Sequence, residues 1–143
     1  MNTNRKWVIA VALLTAMFSV GMLMGEDKPE ALAQKSAESW LTLVDGGSYG
    51  DSWDQASAMF KSQVTKEKWI GALQQVRQPL GKMQSRKLAN AQYTESLPNA
   101  PAGKYVVIQD QTAFENIPSA TETILPMLDK DGQWRVSGYF VKQ

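Results

Sequence analysis

The chain has 143 residues, a formal net charge of +1, and neither cysteine nor histidine. The lack of both residue types excludes disulfides, thiol chemistry, Ser-His-Asp catalysis and zinc sites built from His or Cys. Acidic and basic residues are mixed along the chain, so no basic stripe indicates nucleic-acid binding. No motif indicates a cofactor.

The N-terminal segment is a basic pair, Arg5 and Lys6, followed by an uncharged apolar run over residues 7–24. This pattern is typical of a secretory signal or a membrane anchor. As a helix the run would span about 27 Å, just short of a bilayer core. Ala31-Leu32-Ala33 fits a cleavage site, and Ser19-Val20-Gly21 fits less well. Both alternatives place the rest of the chain in the periplasm, and retention would keep residues 7–24 in the inner membrane.

The remaining residues, 34–143, have the length of one small domain. We therefore divide the chain into a signal peptide or anchor over residues 1–33 and a single domain over residues 34–143. Asp27 and Pro29 resemble a helix start, so cleavage after Ala33 would remove the beginning of the first helix.

Helical periodicity predicts three helices in the first half of this domain. The first carries an apolar stripe and ends at Gly46-Gly47; its members are Ala33, Ala37, Trp40, Leu41 and Val44. The second is capped by Ser48 and has one apolar face made of Tyr49, Trp53, Ala56 and Phe60. The third is capped by Thr65 and ends at Pro79 and Gly81, with a stripe of Trp69, Leu73 and Val76.

After Gly81 the apolar period changes to two and predicts four strands, over residues 83–94, 103–114, 120–128 and 133–141. The link before the last strand contains Asp131-Gly132, a hairpin signal. Short links require antiparallel neighbours. The predicted fold class is α+β: N-terminal helices packed on a curved four-stranded antiparallel meander, preceded by an apolar signal or anchor helix. Sheet curvature would leave a cone whose mouth could hold a pocket.

Strand alternation also predicts which face of the sheet the helices cover. Trp134, Val136 and Phe140 share one parity, and we expect this more apolar face to be covered. The matching positions on the partner strands are Leu125, Met127, Tyr93 and Val107. The helix residues expected against this face are Trp40, Leu73 and Val76.

The opposite face is predicted to collect Arg86, Asp110, Glu122 and Tyr139. Asp110 is the most unusual of them, because Asp is disfavoured inside a strand, and the predicted register puts it opposite Ile124 and diagonal to Glu122. If buried, the cluster could do acid–base chemistry, with Asp110 or Glu122 as base and Tyr139 or Arg86 as stabilising donor. It could equally bind a polar ligand. Alternatively, it is a solvated face with weak ion pairs.

Two further residues are candidates for ligand binding. Trp53 lies near Asp51 and Asp54 and could face a cleft mouth, whereas most other aromatic residues are expected in the core. Arg77 could clamp a carboxylate, or could simply favour the end of its helix. We predict no metal site, because the pairs Asp51/Asp54 and Asp129/Asp131 do not match a calcium loop.

Several segments resemble domain-of-unknown-function family 4019. They are Trp40–Asp45, Tyr49 with Ser52-Trp53-Asp54, Arg77–Gly81, Ser85-Arg86, Leu97–Pro101 with Gly103, Tyr105–Val107, and Asp131–Val136 with Gly138-Tyr139. The resemblance covers nearly all of the exported part and carries no activity with it. It implies a cone fold related to the nuclear-transport-factor-2-like (cystatin-like) proteins, a fold that hosts enzymes, ligand binders and interaction modules alike.

Three functions therefore stay open. The first is non-catalytic binding of an unknown small ligand or envelope protein in the concavity of the sheet. The second is a small enzyme of hydrolase or isomerase type that uses Asp110 and Glu122. The third is a structural module anchored in the inner membrane. The absence of any recognisable nucleophile–base pair favours the first.

Overall fold

A computed structural model describes residues 27–143, and within them all helices precede all strands. The helices are α1 (Pro29–Asp45), α2 (Tyr49–Asp54), α3 (Ala58–Gln63) and α4 (Lys66–Leu80). The strands are β1 (Met83–Thr94), β2 (Tyr105–Phe114), β3 (Ala120–Leu128) and β4 (Trp134–Lys142). The strands form one antiparallel sheet in sequential order. The α+β class, with helices before a four-stranded antiparallel meander, is confirmed.

The predicted signal or anchor helix over residues 7–24 lies outside the described residues. From residue 27 onward, no helix combines the length and the apolarity needed to cross a membrane. Helix α1 begins at Pro29, with Lys28 rather than Asp27 in the capping position and no capping side chain. Ala33 is already part of the core, with none of its surface exposed.

The second predicted helix is two helices, because the chain leaves helical geometry between them. Ser57 has extended backbone angles, and its hydroxyl accepts a hydrogen bond from the Phe60 N–H at 3.2 Å, which starts α3 anew. Thr65 caps α4 in the same way and accepts from the Lys68 N–H at 3.3 Å, as the sequence predicts. Ser48 precedes α2 without a capping bond from its side chain.

The turn from α4 into β1 depends on Gly81. Its φ of +76° lies in the left-handed region, and a Cβ there would stand 2.9 Å from Cβ of Glu115. A residue with a Cβ would force Glu115, just after β2, to shift, so the break in periodicity at residue 81 has a steric cause.

The face assignment made from the sequence is wrong for most of the sheet residues it names, although Val136 is buried beneath the helices and Trp134 and Tyr93 pack against the core. The helices cover the face that carries Val106, Ile108, Phe114 and Ile124, which are all buried, whereas Phe140 is 60% exposed. Val107, Leu125 and Met127 lie on the other face and are partly exposed, and Val76 is 42% exposed on α4. Trp40 and Leu73 do pack in the core beneath the helices, as predicted.

A β-bulge in β4 explains part of this error. Val136 pairs with Pro126 and Tyr139 with Ile124, so Ser137 and Gly138 together stand opposite Leu125. The extra residue reverses the alternation, and both Val136 and Tyr139 therefore point under the helices. Trp134 lies on the Val136 side of the bulge and packs against the core, partly buried.

Candidate functional site

The helix-covered face of the sheet contains a buried carboxylate, that of Glu122 on β3. None of its surface is exposed. One oxygen accepts hydrogen bonds from Arg86 Nε at 2.7 Å and from the Thr112 hydroxyl at 2.6 Å. The other oxygen accepts from the Tyr139 hydroxyl. Buried charges persist only when paired and hydrogen-bonded, and Glu122 meets both conditions.

A second carboxylate, Asp45, closes the same network from the end of α1. Arg86 donates to both of its oxygens, at 2.7 and 3.0 Å, and Arg77 donates to one of them at 2.8 Å. Burial alone would raise the pKa of Asp45, but the hydrogen bonds and charges of Arg86 and Arg77 outweigh it and lower the pKa below 3.8. Two carboxylates and two guanidinium groups thus balance each other.

Arg77 and Tyr139 connect the network to α4 and β4. Arg77 is 5% exposed, its guanidinium lies 4.9 Å from the ring centre of Phe114, and it donates to the Tyr139 hydroxyl at 3.5 Å. Its Nε has no hydrogen-bond partner among residues 27–143. Burial, together with the Glu122 carboxylate, raises the pKa of Tyr139 far above 10. The phenol therefore stays protonated and acts as a donor.

Asp110 lies on the same face but does not join these hydrogen bonds. It stands directly opposite Glu122 in the β2–β3 register and is 7% exposed. It lines a cavity of about 190 Å³ between α1 and strands β1 and β2, beside Arg86. Burial raises the pKa of Asp110, Arg86 opposes this, and the negative charges of Glu122 and Glu38 add to it.

A larger cleft, of about 770 Å³, lies on the other side of α1, against the turn between β3 and β4. Its apolar lining comes from Leu32, Trp40, Leu43 and Trp134. Its polar lining includes Lys35, Gln55 and Gln133. Arg135 at the rim is already bound by Asp129 at 2.9 Å and Asp131 at 2.8 Å.

Residues 36–139 match the family described as "Protein of unknown function (DUF4019)". The chain belongs to this family. The resemblance seen in the sequence is therefore confirmed, and the matched range contains every member of the buried network. No curated protein and no solved structure matches the chain.

In this member of the family, five of the six residues singled out from the sequence lie in one layer. Arg77, Arg86, Glu122 and Tyr139 are joined by hydrogen bonds, and Asp110 adjoins them. The predicted register is wrong in detail, since Asp110 faces Glu122 rather than Ile124. The cluster is also not an open face, because the helices bury it. Whether any of these residues binds or reacts with a ligand stays a prediction.

Trp53, the sixth residue, lies apart from the cluster. Its indole N–H donates to the backbone oxygen of Val64 at 2.7 Å, and its ring packs against the core. The acidic pairs are likewise used structurally: Asp54 binds Lys66 at 2.8 Å, and Asp129 and Asp131 bind Arg135. Residues 27–143 contain no group of three or more acidic side chains placed to hold a metal ion.

Sequence reasoning missed two members of the network, the Thr112 hydroxyl and the Asp45 carboxylate. A signal for Asp45 existed, because Asp45 is the last residue of α1 and an acidic side chain is unfavourable at the C-terminus of a helix. An unfavourable local choice of this kind indicates a tertiary partner, which here is the pair of arginines. The cleft beside Trp134 had no comparable local signal, since it is formed by segments far apart in sequence.

Proposed function

We propose that the chain is an exported, non-catalytic binding domain that holds a small amphipathic ligand in the cleft between α1 and the β3–β4 turn. The observation that carries this proposal is the cleft's combination of apolar walls and uncommitted donors. Its volume of about 770 Å³ is in the range of small-molecule sites.

The donors in the cleft favour a ligand with an anionic or acceptor end. Lys35 forms no ion pair, and the Trp134 indole N–H no hydrogen bond, within residues 27–143, although both line the cleft. The backbone oxygen of Trp134 is held by the Ser36 hydroxyl at 2.7 Å, which fixes the strand against α1. A carboxylate near Lys35 and Trp134, with its alkyl chain along Leu32 and Leu43, would use both kinds of lining.

The concavity of the sheet is less suited to this role than the sequence implied. Its centre is filled by the chain's own side chains, among them Trp40, Leu73 and Ile124. The Glu122 carboxylate accepts three hydrogen bonds and is closed to solvent, so it is poorly placed to take a proton from a substrate. These two features support binding at the cleft over acid–base catalysis in the concavity.

Export is the second part of the proposal and rests on Arg5, Lys6 and the apolar run over residues 7–24. The domain would then face the periplasm, either free or anchored to the inner membrane. The helices-then-sheet order supports a relation to the nuclear-transport-factor-2-like cone folds. Intact mass of the protein recovered from the envelope decides between cleavage and anchoring, since a mass lacking residues 1–33 or 1–21 excludes the anchor.

Decanoate is a suitable probe for the cleft, with decanol as its neutral counterpart. We expect decanoate to shift the Trp134 indole N–H resonance in an NMR titration of the full chain, and decanol to bind more weakly. Lys35→Met should weaken decanoate binding, because the ion pair is lost, and leave decanol binding unchanged. Lys68→Met, at an exposed position of α4, is the matched control. Saturable decanoate binding that leaves Trp134 unperturbed would place the ligand elsewhere and overturn the proposal.

A further inference from the structure

The small cavity on the opposite side of α1 is lined by a buried carboxylate that has no hydrogen-bond or ion-pair partner within residues 27–143. Only 7% of the surface of Asp110 is exposed. No residue from 27 to 143 donates a hydrogen bond to its side chain or forms an ion pair with it. Asp110 lines the cavity, and its carboxylate oxygens keep some accessible surface, since they are not among the fully buried polar atoms without a partner. An unpaired buried carboxylate costs stability, so its presence needs an explanation.

The charges around the cavity sum to an excess of negative charge. Arg86 lines the cavity, but its guanidinium is committed to Asp45 and Glu122 through three hydrogen bonds. Arg77 is likewise committed to Asp45. The two arginines form their ion pairs within the network, so Asp110 feels the charge of Arg86 but forms no ion pair of its own within residues 27–143.

Two further acceptors stand at the cavity on α1. Glu38 and Gln34 both line it, one helical turn apart. The Gln34 amide nitrogen donates to Glu38 Oε1 at 3.3 Å, which leaves the Gln34 carbonyl oxygen and Glu38 Oε2 free of hydrogen bonds within residues 27–143. The remaining walls are apolar and come from Ala37, Leu41, Leu88 and Ile108.

We propose that this cavity binds a small organic cation, a primary alkylammonium group, with Asp110 as its central acceptor. An ammonium group has three N–H donors, which match the acceptors of Asp110, Glu38 and Gln34. The alkyl part would lie against Leu41, Leu88 and Ile108. A volume of about 190 Å³ equals the space of about six waters, which limits the ligand to a short chain.

The cavity and the cleft share no lining residue and lie on different sides of α1. The inference therefore stands apart from the proposed function, and each can fail without the other. An alkylammonium ion fits better than a metal ion, because residues 27–143 offer no cluster of three acidic ligands.

The test is a titration of the full chain with n-butylammonium chloride, followed by NMR of the methyl groups of Leu41, Leu88 and Ile108. Sodium chloride at matched ionic strength and n-butanol control for salt and for the alkyl chain. We expect saturable shifts with n-butylammonium alone. Asp110→Asn should weaken binding by about tenfold or more, because the charged acceptor is lost. Asp51→Asn, an exposed carboxylate on α2, should leave binding unchanged.

Glu38→Gln provides a second variant in case Asp110→Asn does not fold, since Glu38 is exposed on α1. We expect it to weaken n-butylammonium binding by a smaller factor than Asp110→Asn. Any of the following would overturn the inference: no saturable shift at the three methyl-bearing residues, equal binding of n-butanol, or equal affinity in the wild type and both cavity variants. Shifts produced equally by sodium chloride would show a general salt effect and also overturn it.

Discussion

Tyr139 on β4 donates its hydroxyl hydrogen to Glu122 on β3, a residue with none of its surface exposed. The two are not register partners, since Tyr139 stands opposite Ile124 and Glu122 opposite Val141. The bulge at Ser137 and Gly138 turns Tyr139 under the helices, where the hydroxyl reaches along the strand to the carboxylate. The buried network therefore depends on an irregularity of the sheet.

Tyr139→Phe tests how much the hydrogen bond from Tyr139 to Glu122 contributes to the stability of the fold. The substitution removes the donor and leaves a buried carboxylate oxygen without its partner, so we expect a loss of about 1–3 kcal/mol in the free energy of unfolding. Urea unfolding measures it. Tyr93→Phe is the matched control, because the Tyr93 hydroxyl donates to Glu95 at an exposed site and its loss should change little. Equal effects of the two substitutions would contradict the structural importance of the buried bond.

Asp45→Asn tests the charge balance of the network. Arg86 would keep Glu122 as an ion-pair partner, but Arg77 would lose the ion pair it forms within residues 27–143, and we expect a loss of about 3 kcal/mol in the free energy of unfolding at neutral pH. The pKa of Asp45 is lowered in the folded state, so its carboxylate stabilises the fold fully above its ordinary pKa of 3.8. This contribution is lost as the pH falls through the folded pKa. The difference in the free energy of unfolding between the wild type and Asp45→Asn should therefore become smaller in acid.

Asp54→Asn is the control for that substitution. It breaks an ion pair with Lys66 in which both side chains are more than a third exposed, and such pairs contribute little. Urea unfolding at several pH values compares the two variants. If the difference in the free energy of unfolding between the wild type and Asp45→Asn persists unchanged in acid, the charge of the Asp45 carboxylate is not what stabilises the fold.

Local sequence signals predicted the bounds of the strands closely, but not which face of the sheet the helices cover. The breakers around Gly81 and Asp131-Gly132 gave β1 and β3 their observed bounds, β2 begins two residues later than expected, and β4 shifts by one. The sheet face was misjudged because Asp110, Thr112 and Glu122 make the covered face look polar. The burial of Glu122 depends on Arg86 from β1, and no pattern within one strand reveals such a partner.

The bulged register predicts that truncating two apolar residues of the same sheet lowers the free energy of unfolding by very different amounts. Ile124 has none of its surface exposed, and Ile124→Ala should lower the free energy of unfolding by about 2–5 kcal/mol. Phe140→Ala should lower it much less, because the ring is 60% exposed. Uniform alternation along β4 would instead bury Phe140. Urea unfolding of both variants decides, and a larger loss for Phe140→Ala would exclude the bulged register.

The sequence predicted those parts of the candidate sites that lie on neighbouring strands, and missed those formed by residues far apart in the chain. Asp110 stood out because Asp is disfavoured inside a strand, and the predicted register then placed Arg86 and Glu122 on the same face. The network also needs Asp45, which lies 41 residues from Arg86, and the cleft joins α1 to a turn almost a hundred residues later. Such contacts follow from how α1 crosses the sheet, so only the folded arrangement reveals them.

Asp110→Asn tests whether the ionised Asp110 carboxylate lowers the stability of the fold. The pKa of Asp110 is raised in the folded state, mainly by burial, so the folded state holds its proton at pH values where the unfolded state releases it. Unfolding is therefore favoured as the pH rises from about 3.8 through the folded pKa, and the carboxylate destabilises the fold above that range. Asp110→Asn does not titrate, so we expect it to unfold at a higher temperature than the wild type at pH 7 and at the same temperature in strong acid.

Asp51→Asn, at an exposed site, should follow the wild type at every pH. Scanning calorimetry of the three proteins between acidic and neutral pH measures these differences. Addition of n-butylammonium chloride should raise the unfolding temperature of the wild type at pH 7 and narrow its gap to Asp110→Asn, because a bound cation compensates the buried charge. A lower unfolding temperature for Asp110→Asn at pH 7 would mean that the attraction between Asp110 and Arg86 outweighs burial. The carboxylate would then belong to the stabilising network rather than to an unfilled site.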